Sequence, residues 1–139
     1  MSSRSASTAP TSKERPLLEL PQIWQLVALL TVHWIADFLC QTRWMAENKS
    51  KRIDALSAHV ATYSAVLGLA ALIVFGASFN LIWFVLANAV LHFVTDFFTS
   101  RATSALWQQQ NVYGFFAVIG LDQLLHQVAL ATTLVVFLG

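Results

Sequence analysis

The chain has 139 residues, of which 57% are hydrophobic and only 11% are charged, and its mean hydropathy is +0.62. This composition excludes an ordinary soluble globular protein. The net charge is +1, and the eight Lys and Arg residues are scattered over short polar segments, which excludes nucleic acid as a partner. A single cysteine, Cys40, cannot form an intramolecular disulfide.

The chain divides into a polar start and an apolar remainder. Residues 1–20 are rich in Ser, Thr and Pro and predict a disordered polar tail. Four apolar stretches follow, each near the roughly 20 residues that a helix needs to cross a bilayer. The sequence therefore predicts an all-α fold for residues 21–139, an integral membrane four-helix bundle with a polar His/Asp core and helices at about 22–42, 55–76, 79–99 and 113–138.

Charge is distributed unequally between the connections that join these helices. The turn around Gly76 has no charged residue, whereas the connections 43–54 and 100–111 are polar. Alternate connections lie on the same side of a membrane, and the side richer in Lys and Arg usually faces the cytoplasm. This pattern predicts that both termini face outward and that one inner face collects Arg43, Lys49, Lys51, Arg52 and Arg101.

The predicted spans contain ionisable side chains but no Lys or Arg. A carboxylate near the bilayer centre costs roughly 2.5–3.5 kcal/mol, so each one requires a proton, a histidinium partner or a bound cation. The residues concerned are His33, Asp37, His59, His92, Asp96, Asp122 and His126.

The spacing of these residues indicates that they meet. Residues four positions apart share a helix face. Gln41 and Asn88 extend two of the resulting polar stripes by another turn, and counting from the charged connections places all four helices' polar residues at a similar depth. The pairs are His33 with Asp37, His92 with Asp96, and Asp122 with His126.

Several motifs together resemble a bacterial and phage-encoded family of small membrane proteins of unknown function, the 3307 family. They are HWIADFLCQT at 33–42, WMAENKSK at 44–51, His59, LHFVTD at 91–96 and LDQLLH at 121–126, and the resemblance covers roughly residues 25–138. It implies a bacterial inner-membrane protein. In such a membrane, the charge pattern described above predicts that the charged connections 43–54 and 100–111 face the cytoplasm and that the termini face the periplasm. The chain is also distantly similar to small bacterial membrane proteins labelled metal-dependent hydrolases, which share intramembrane His and Asp residues.

The leading hypothesis is an intramembrane metal site. Imidazole and carboxylate groups from four helices suit one or two divalent ions, zinc or another transition metal. Such a site predicts a hydrolase acting on a lipid-linked or otherwise membrane-presented ester or phosphoester. The predicted metal ligands are the seven His and Asp residues, and the predicted supporting or substrate-contacting residues are Gln41, Asn48, Lys49, Asn88 and Gln123.

Two alternatives stay open from the sequence. The same residues suit proton or metal-ion transport, since titratable chains line such paths. They also suit a non-catalytic assembly protein whose polar core only fixes the helices, although interhelical polar contacts contribute only about 0.6 kcal/mol each against a larger insertion cost. The sequence leaves the substrate and the oligomeric state open.

Overall fold

The computed structural model describes residues 20–139, with side chains from Ile23 onward. The polar tail predicted for residues 1–20 lies outside this range, except for Leu20, which begins the first helix. Among the described residues the secondary structure is helical and contains no strand. The elements are α1 (Leu20–Trp34), a π-helical turn (Ile35–Leu39), α2 (Arg43–Asn48), α3 (Ile53–Phe75), α4 (Phe79–Gln108) and α5 (Val112–Leu138).

Three of these helices, α3, α4 and α5, are long and apolar enough to cross a membrane. They have 23, 30 and 27 residues, which at 1.5 Å per residue gives lengths of about 35–45 Å. Helix α4 continues past its predicted end at Thr99 to Gln108, because residues 100–108 contain no Pro or Gly to stop it. The helix ends where Gln110 adopts a positive φ of 57°. Most of the predicted connection 100–111 is therefore helical.

The first predicted span differs most from its prediction. Its apolar part, Ile23–Leu39, is shorter than the other three helices. The helix widens at the π-helical turn, where the Cys40 N–H donates to the Ile35 carbonyl at 3.0 Å. The chain then leaves the helix, and the Thr42 hydroxyl accepts from the Met45 N–H at 3.3 Å. Thr42 thus starts α2 inside the predicted polar connection 43–54.

A tight turn reverses the chain between α3 and α4. Gly76 has φ 76°, a backbone conformation that side chains disfavour, so glycine is the residue that suits this position. Ser78 then caps α4, since its hydroxyl accepts from the Leu81 N–H at 3.1 Å. Around the fold, α1 contacts α3 and α5, α4 contacts both α3 and α5, and α2 lies against α3.

The interior has an apolar part and a polar part. The apolar cluster includes Leu67 and Ala71 near the end of α3 and Leu81 and Phe84 near the start of α4, so it lies toward the Gly76 turn. The buried polar residues lie on the other side of this cluster, toward the charged connections. They include His33, Asp37, His59, His92, Asp96 and His126.

The outer surface of the helices is apolar where a soluble protein would be polar. Trp24, Ile73, Phe79, Val90 and Phe98 are each more than half exposed. Large contiguous apolar surfaces on a protein mark contact with a membrane or a partner. A lipid environment requires this distribution, in which polar groups lie inside and apolar groups lie outside.

Candidate metal centre

Four buried side chains converge between the helices. Asp37 comes from the π-helical turn, His59 from α3, and His92 and Asp96 from successive turns of α4. One nitrogen or oxygen atom from each lies within 4.8 Å of the corresponding atoms of the other three. We call these four residues the first ligand group.

The distances within the first ligand group are short enough for its donor atoms to surround one metal ion. His59 Nε2 lies 3.1 Å from Asp37 Oδ1, 3.2 Å from Asp96 Oδ2 and 3.1 Å from His92 Nε2. His92 Nε2 lies 3.5 Å and 3.7 Å from the same two carboxylate oxygens. Ligands about 2.0–2.1 Å from a tetrahedral zinc ion stand about 3.3 Å apart, so the spacing and donor types of this group fit a transition metal.

Among the described residues, His59 and His92 have polar neighbours at Nε2 but none at Nδ1. Nδ1 of His59 and Nδ1 of His92 are buried and have no hydrogen-bond partner among the described residues. The His92 ring stacks on Tyr63, with centroids 3.9 Å apart. Ring stacking and the facing carboxylates therefore hold these imidazoles, rather than hydrogen bonds to their far nitrogens.

A lysine from outside the predicted spans supplies a positive charge next to Asp96. Lys49, at the end of α2, reaches inward until its Nζ lies 2.8 Å from Asp96 Oδ2. Its side chain is 18% exposed, whereas that of Asp96 is 2% exposed. The predicted spans contain no Lys or Arg, but a residue from the connecting segment extends its long side chain to Asp96 and so supplies a countercharge.

A hydrogen-bonded chain flanks the first ligand group. The Gln123 amide donates to Asp37 Oδ2 at 3.0 Å and to Asp122 Oδ2 at 3.1 Å, so its oxygen is left to accept from His33 Nε2 at 3.3 Å. His33 Nδ1 then accepts from the Tyr63 hydroxyl at 3.1 Å. Both nitrogens of His33 are thus occupied, and this predicted ligand lies outside the groups of atoms that could hold a metal ion.

Asp96 also belongs to a second ligand group, with Asp122 and His126 of α5. His126 Nδ1 lies 2.8 Å from the Asp122 backbone carbonyl, and His126 Nε2 lies 3.8 Å from Asp96 Oδ1. The Thr99 hydroxyl donates to Asp122 Oδ1 at 2.5 Å. Sequence analysis missed Thr99, although its position three residues after Asp96 places it on the same helix face.

The remaining predicted residues have different positions. Gln123 joins the hydrogen-bonded chain, and Gln41 has a buried side-chain oxygen without a partner in the described part of the chain. Asn88 lies away from the ligand groups, because its amide donates to the Phe84 carbonyl and the Thr133 hydroxyl. Asn48 donates to the Trp44 carbonyl within α2.

A pocket of about 700 Å³ opens beside the ligand groups. Asp37, Asp96 and Asp122 line it, whereas His59, His92 and His126 do not. Lys49 and Lys51 add positive charge. The apolar wall contains Phe38, Trp107, Phe115, Phe116 and Ile119. A molecule entering the pocket from the side of the charged connections would therefore reach these carboxylates.

The family model described as "Protein of unknown function (DUF3307)" matches residues 25–138. The matched range contains both ligand groups, the hydrogen-bonded chain and the pocket, and it confirms the family resemblance predicted from the ordered motifs. No curated protein and no solved structure matches the chain. The family description names no reaction, substrate or cofactor.

The ion pair between Lys49 and Asp96 yields a stability prediction. In protein stripped of metal, Lys49→Met leaves a buried carboxylate without its cation, so the free energy of unfolding in detergent should fall by roughly 3 kcal/mol. Lys51→Met is the matched control, since Lys51 is exposed and its loss should change stability by less than about 0.5 kcal/mol. Equal stability of the two variants would show that Lys49 does not compensate Asp96.

Proposed function

The chain belongs to the DUF3307 family, and we propose that it is a multi-pass membrane protein that binds a divalent metal ion and hydrolyses a membrane-presented ester or phosphoester. The observation that carries the proposal is the first ligand group, in which two imidazole nitrogens and two carboxylate oxygens converge in a buried place. Buried polar atoms this close together need hydrogen-bond partners, a countercharge or a bound metal ion.

A divalent cation is the compensation that suits this group best. Two carboxylates carry two negative charges, which one divalent ion balances. The Lys49 ammonium balances only one of them, and it contacts Asp96 rather than Asp37. Two His and two Asp ligands favour zinc or another transition metal over calcium and magnesium, which prefer oxygen ligands alone.

The position of the pocket supports the proposal of hydrolysis. An ion held by the four donors of the first ligand group would need to take a water molecule as a fifth ligand from the pocket side, and binding would lower the pKa of that water toward about 7, which would supply a nucleophile at neutral pH. In the proposed reaction, the water oxygen bonds to the carbonyl carbon or phosphorus, the ester bond to the alcohol oxygen breaks, and a water proton passes to that leaving oxygen. Asp37 and Asp96 line the pocket, so a substrate there would contact the ligand group.

The lining of the pocket favours a substrate that is part lipid. Aromatic side chains such as Phe115 and Phe116 suit an acyl or isoprenoid chain, and Lys49 and Lys51 suit an anionic headgroup. The pocket lies where the most apolar part of α4 ends and the charged connections begin. A headgroup could therefore enter it from the adjacent leaflet. This is the geometry expected for a substrate that stays in the membrane.

Transport is less well supported, because an apolar cluster lies beyond the site. Leu67, Ala71, Leu81 and Phe84 are buried between the ligand groups and the Gly76 turn. A path for protons or ions needs polar groups or water through that layer. Within the described residues, the polar pair Asn88–Thr133 is followed in this direction by that apolar layer.

We further propose that the protein crosses the membrane four times as a helix bundle. Helix α1 and its π-helical turn together have 20 residues, about 30 Å at 1.5 Å per residue. This segment buries Leu29 and His33 inward and exposes Trp24 and Phe38 outward, as a membrane helix would. Its contacts with α3 and α5 close a ring of four helices.

The metal proposal is tested on detergent-purified protein by plasma mass spectrometry. The wild type should contain at least one equivalent of a divalent transition metal per chain. The double variant Asp37→Asn/His92→Gln should lose at least one equivalent, because it removes two of the four donors. His33→Gln is the matched control, since it alters a buried histidine outside the ligand groups and should retain the metal. Metal-free wild type, folded and stable, would contradict the proposal.

The hydrolase part has its own readout in the same proteins. The probes are bis(p-nitrophenyl) phosphate and p-nitrophenyl butyrate. The metal-loaded wild type should release nitrophenolate from one of them, and the double variant should not. If the loaded protein turns over neither probe but conducts zinc or protons in proteoliposomes, transport replaces hydrolysis as its function.

Topology gives a second test of the proposed membrane arrangement. In a Cys40→Ser background, Ser3→Cys and Gly139→Cys should both react with an impermeant maleimide added from outside the cell membrane, because four spans put both ends on one side. Ser50→Cys, in the charged connection, should react only after the membrane is permeabilised. Ends on opposite sides would indicate three spans, and two inaccessible ends would reverse the orientation.

A further inference from the structure

Resting on the proposed function, we infer that the site is dinuclear: a second divalent ion is bound by Asp96, Asp122 and His126, and the Asp96 carboxylate bridges the two ions. The three residues form the second ligand group, whose donor atoms all lie within 4.8 Å of one another. Asp96 and His126 are buried, and the Asp122 side chain is 15% exposed.

His126 is the residue that points most directly to a cation. Its Nδ1 lies 2.8 Å from the Asp122 backbone carbonyl, and since a carbonyl only accepts, Nδ1 carries the ring proton. In the neutral ring, Nε2 is then an acceptor. This atom is buried, has no hydrogen-bond partner among the described residues, and belongs to a side chain that is 3% exposed.

The unpartnered nitrogen faces another acceptor. His126 Nε2 lies 3.8 Å from Asp96 Oδ1, which is too far for a direct hydrogen bond even if Nε2 were protonated. Two acceptors that face each other across such a gap repel unless a cation or a proton donor lies between them. A divalent ion with imidazole and carboxylate ligands satisfies both atoms at once.

The two oxygens of Asp96 divide between the two groups. Oδ2 faces His59 Nε2 at 3.2 Å and the Lys49 ammonium at 2.8 Å, whereas Oδ1 faces His126. One carboxylate with an oxygen directed to each of two donor clusters is the arrangement of a bridging ligand. The two positions are therefore neighbours that share a ligand.

The carboxylate of Asp122 is fixed in place at the edge of the pocket. Thr99 donates to its Oδ1 and the Gln123 amide donates to its Oδ2. Asp37, Asp96 and Asp122 all line the pocket, and Asp122 is the most exposed of them, with 15% of its side chain accessible against 4% for Asp37. The second ion would thus be the one closer to a substrate, with three protein ligands and coordination positions left for water or substrate.

Charge identifies the class of substrate that a dinuclear site would take. With two divalent ions, the carboxylates of Asp37, Asp96 and Asp122 leave one positive charge uncompensated, and Lys49 adds another. Such a site attracts an anion, and metal pairs of this kind stabilise the attacking and leaving oxygens of phosphoester displacement. Of the two substrate classes proposed above, the phosphoester is favoured.

The test is the number of zinc ions bound by the full-length protein in detergent after equilibrium dialysis. We expect two per chain in the wild type, one in His126→Gln and two in His33→Gln, the matched control for loss of a buried imidazole. One zinc in both the wild type and His126→Gln, or two in both, would overturn the dinuclear site. No zinc in the wild type would instead contradict the proposed metal binding itself.

A second measurement needs no variant, in case His126→Gln does not fold. Loaded with two equivalents of Mn²⁺, the wild type should give the electron paramagnetic resonance spectrum of a spin-coupled manganese pair, because a shared carboxylate keeps the two ions close. The simple six-line spectrum of isolated ions would overturn the inference.

Discussion

The structure depends on one constraint: carboxylates placed between apolar helices have to be compensated where they lie. Asp37 and Asp96 are almost fully buried, and the surfaces that surround their helices are apolar. Burying a charge in such a place is costly unless it is paired and hydrogen-bonded. The convergence of His59 and His92, the inward reach of Lys49 and the proposed metal ion are all responses to this cost.

The same constraint divides the interior into two layers. Toward the Gly76 turn, close packing of residues such as Leu67 and Phe84 holds the helices together. Toward the charged connections, side chains from every long helix meet in a polar layer, and a pocket reaches that layer from outside. Packing in the first layer fixes the positions of the ligands in the second, which is how a rigid scaffold supports a reactive site.

Much of this arrangement could be predicted from residue spacing. The pair His92 and Asp96 lies on one face of a regular helix, and the sequence alone places it toward the interior. Spacing could not identify Lys49 as the partner of Asp96, because that contact depends on how the short helix α2 folds back. It also could not separate His33 from the two groups of residues that could hold a metal ion, since the separation depends on the Gln123 amide between them.

The proposed metal ion lies between His59, His92, Asp37 and Asp96, and X-ray absorption at the zinc edge tests this position most directly. Protein loaded with a single equivalent of zinc should show four or five light ligands at about 2.0–2.2 Å, with the outer-shell scattering of two imidazole rings. That scattering should weaken in His92→Gln. A spectrum without imidazole scattering, or one unchanged by His92→Gln, would contradict the account.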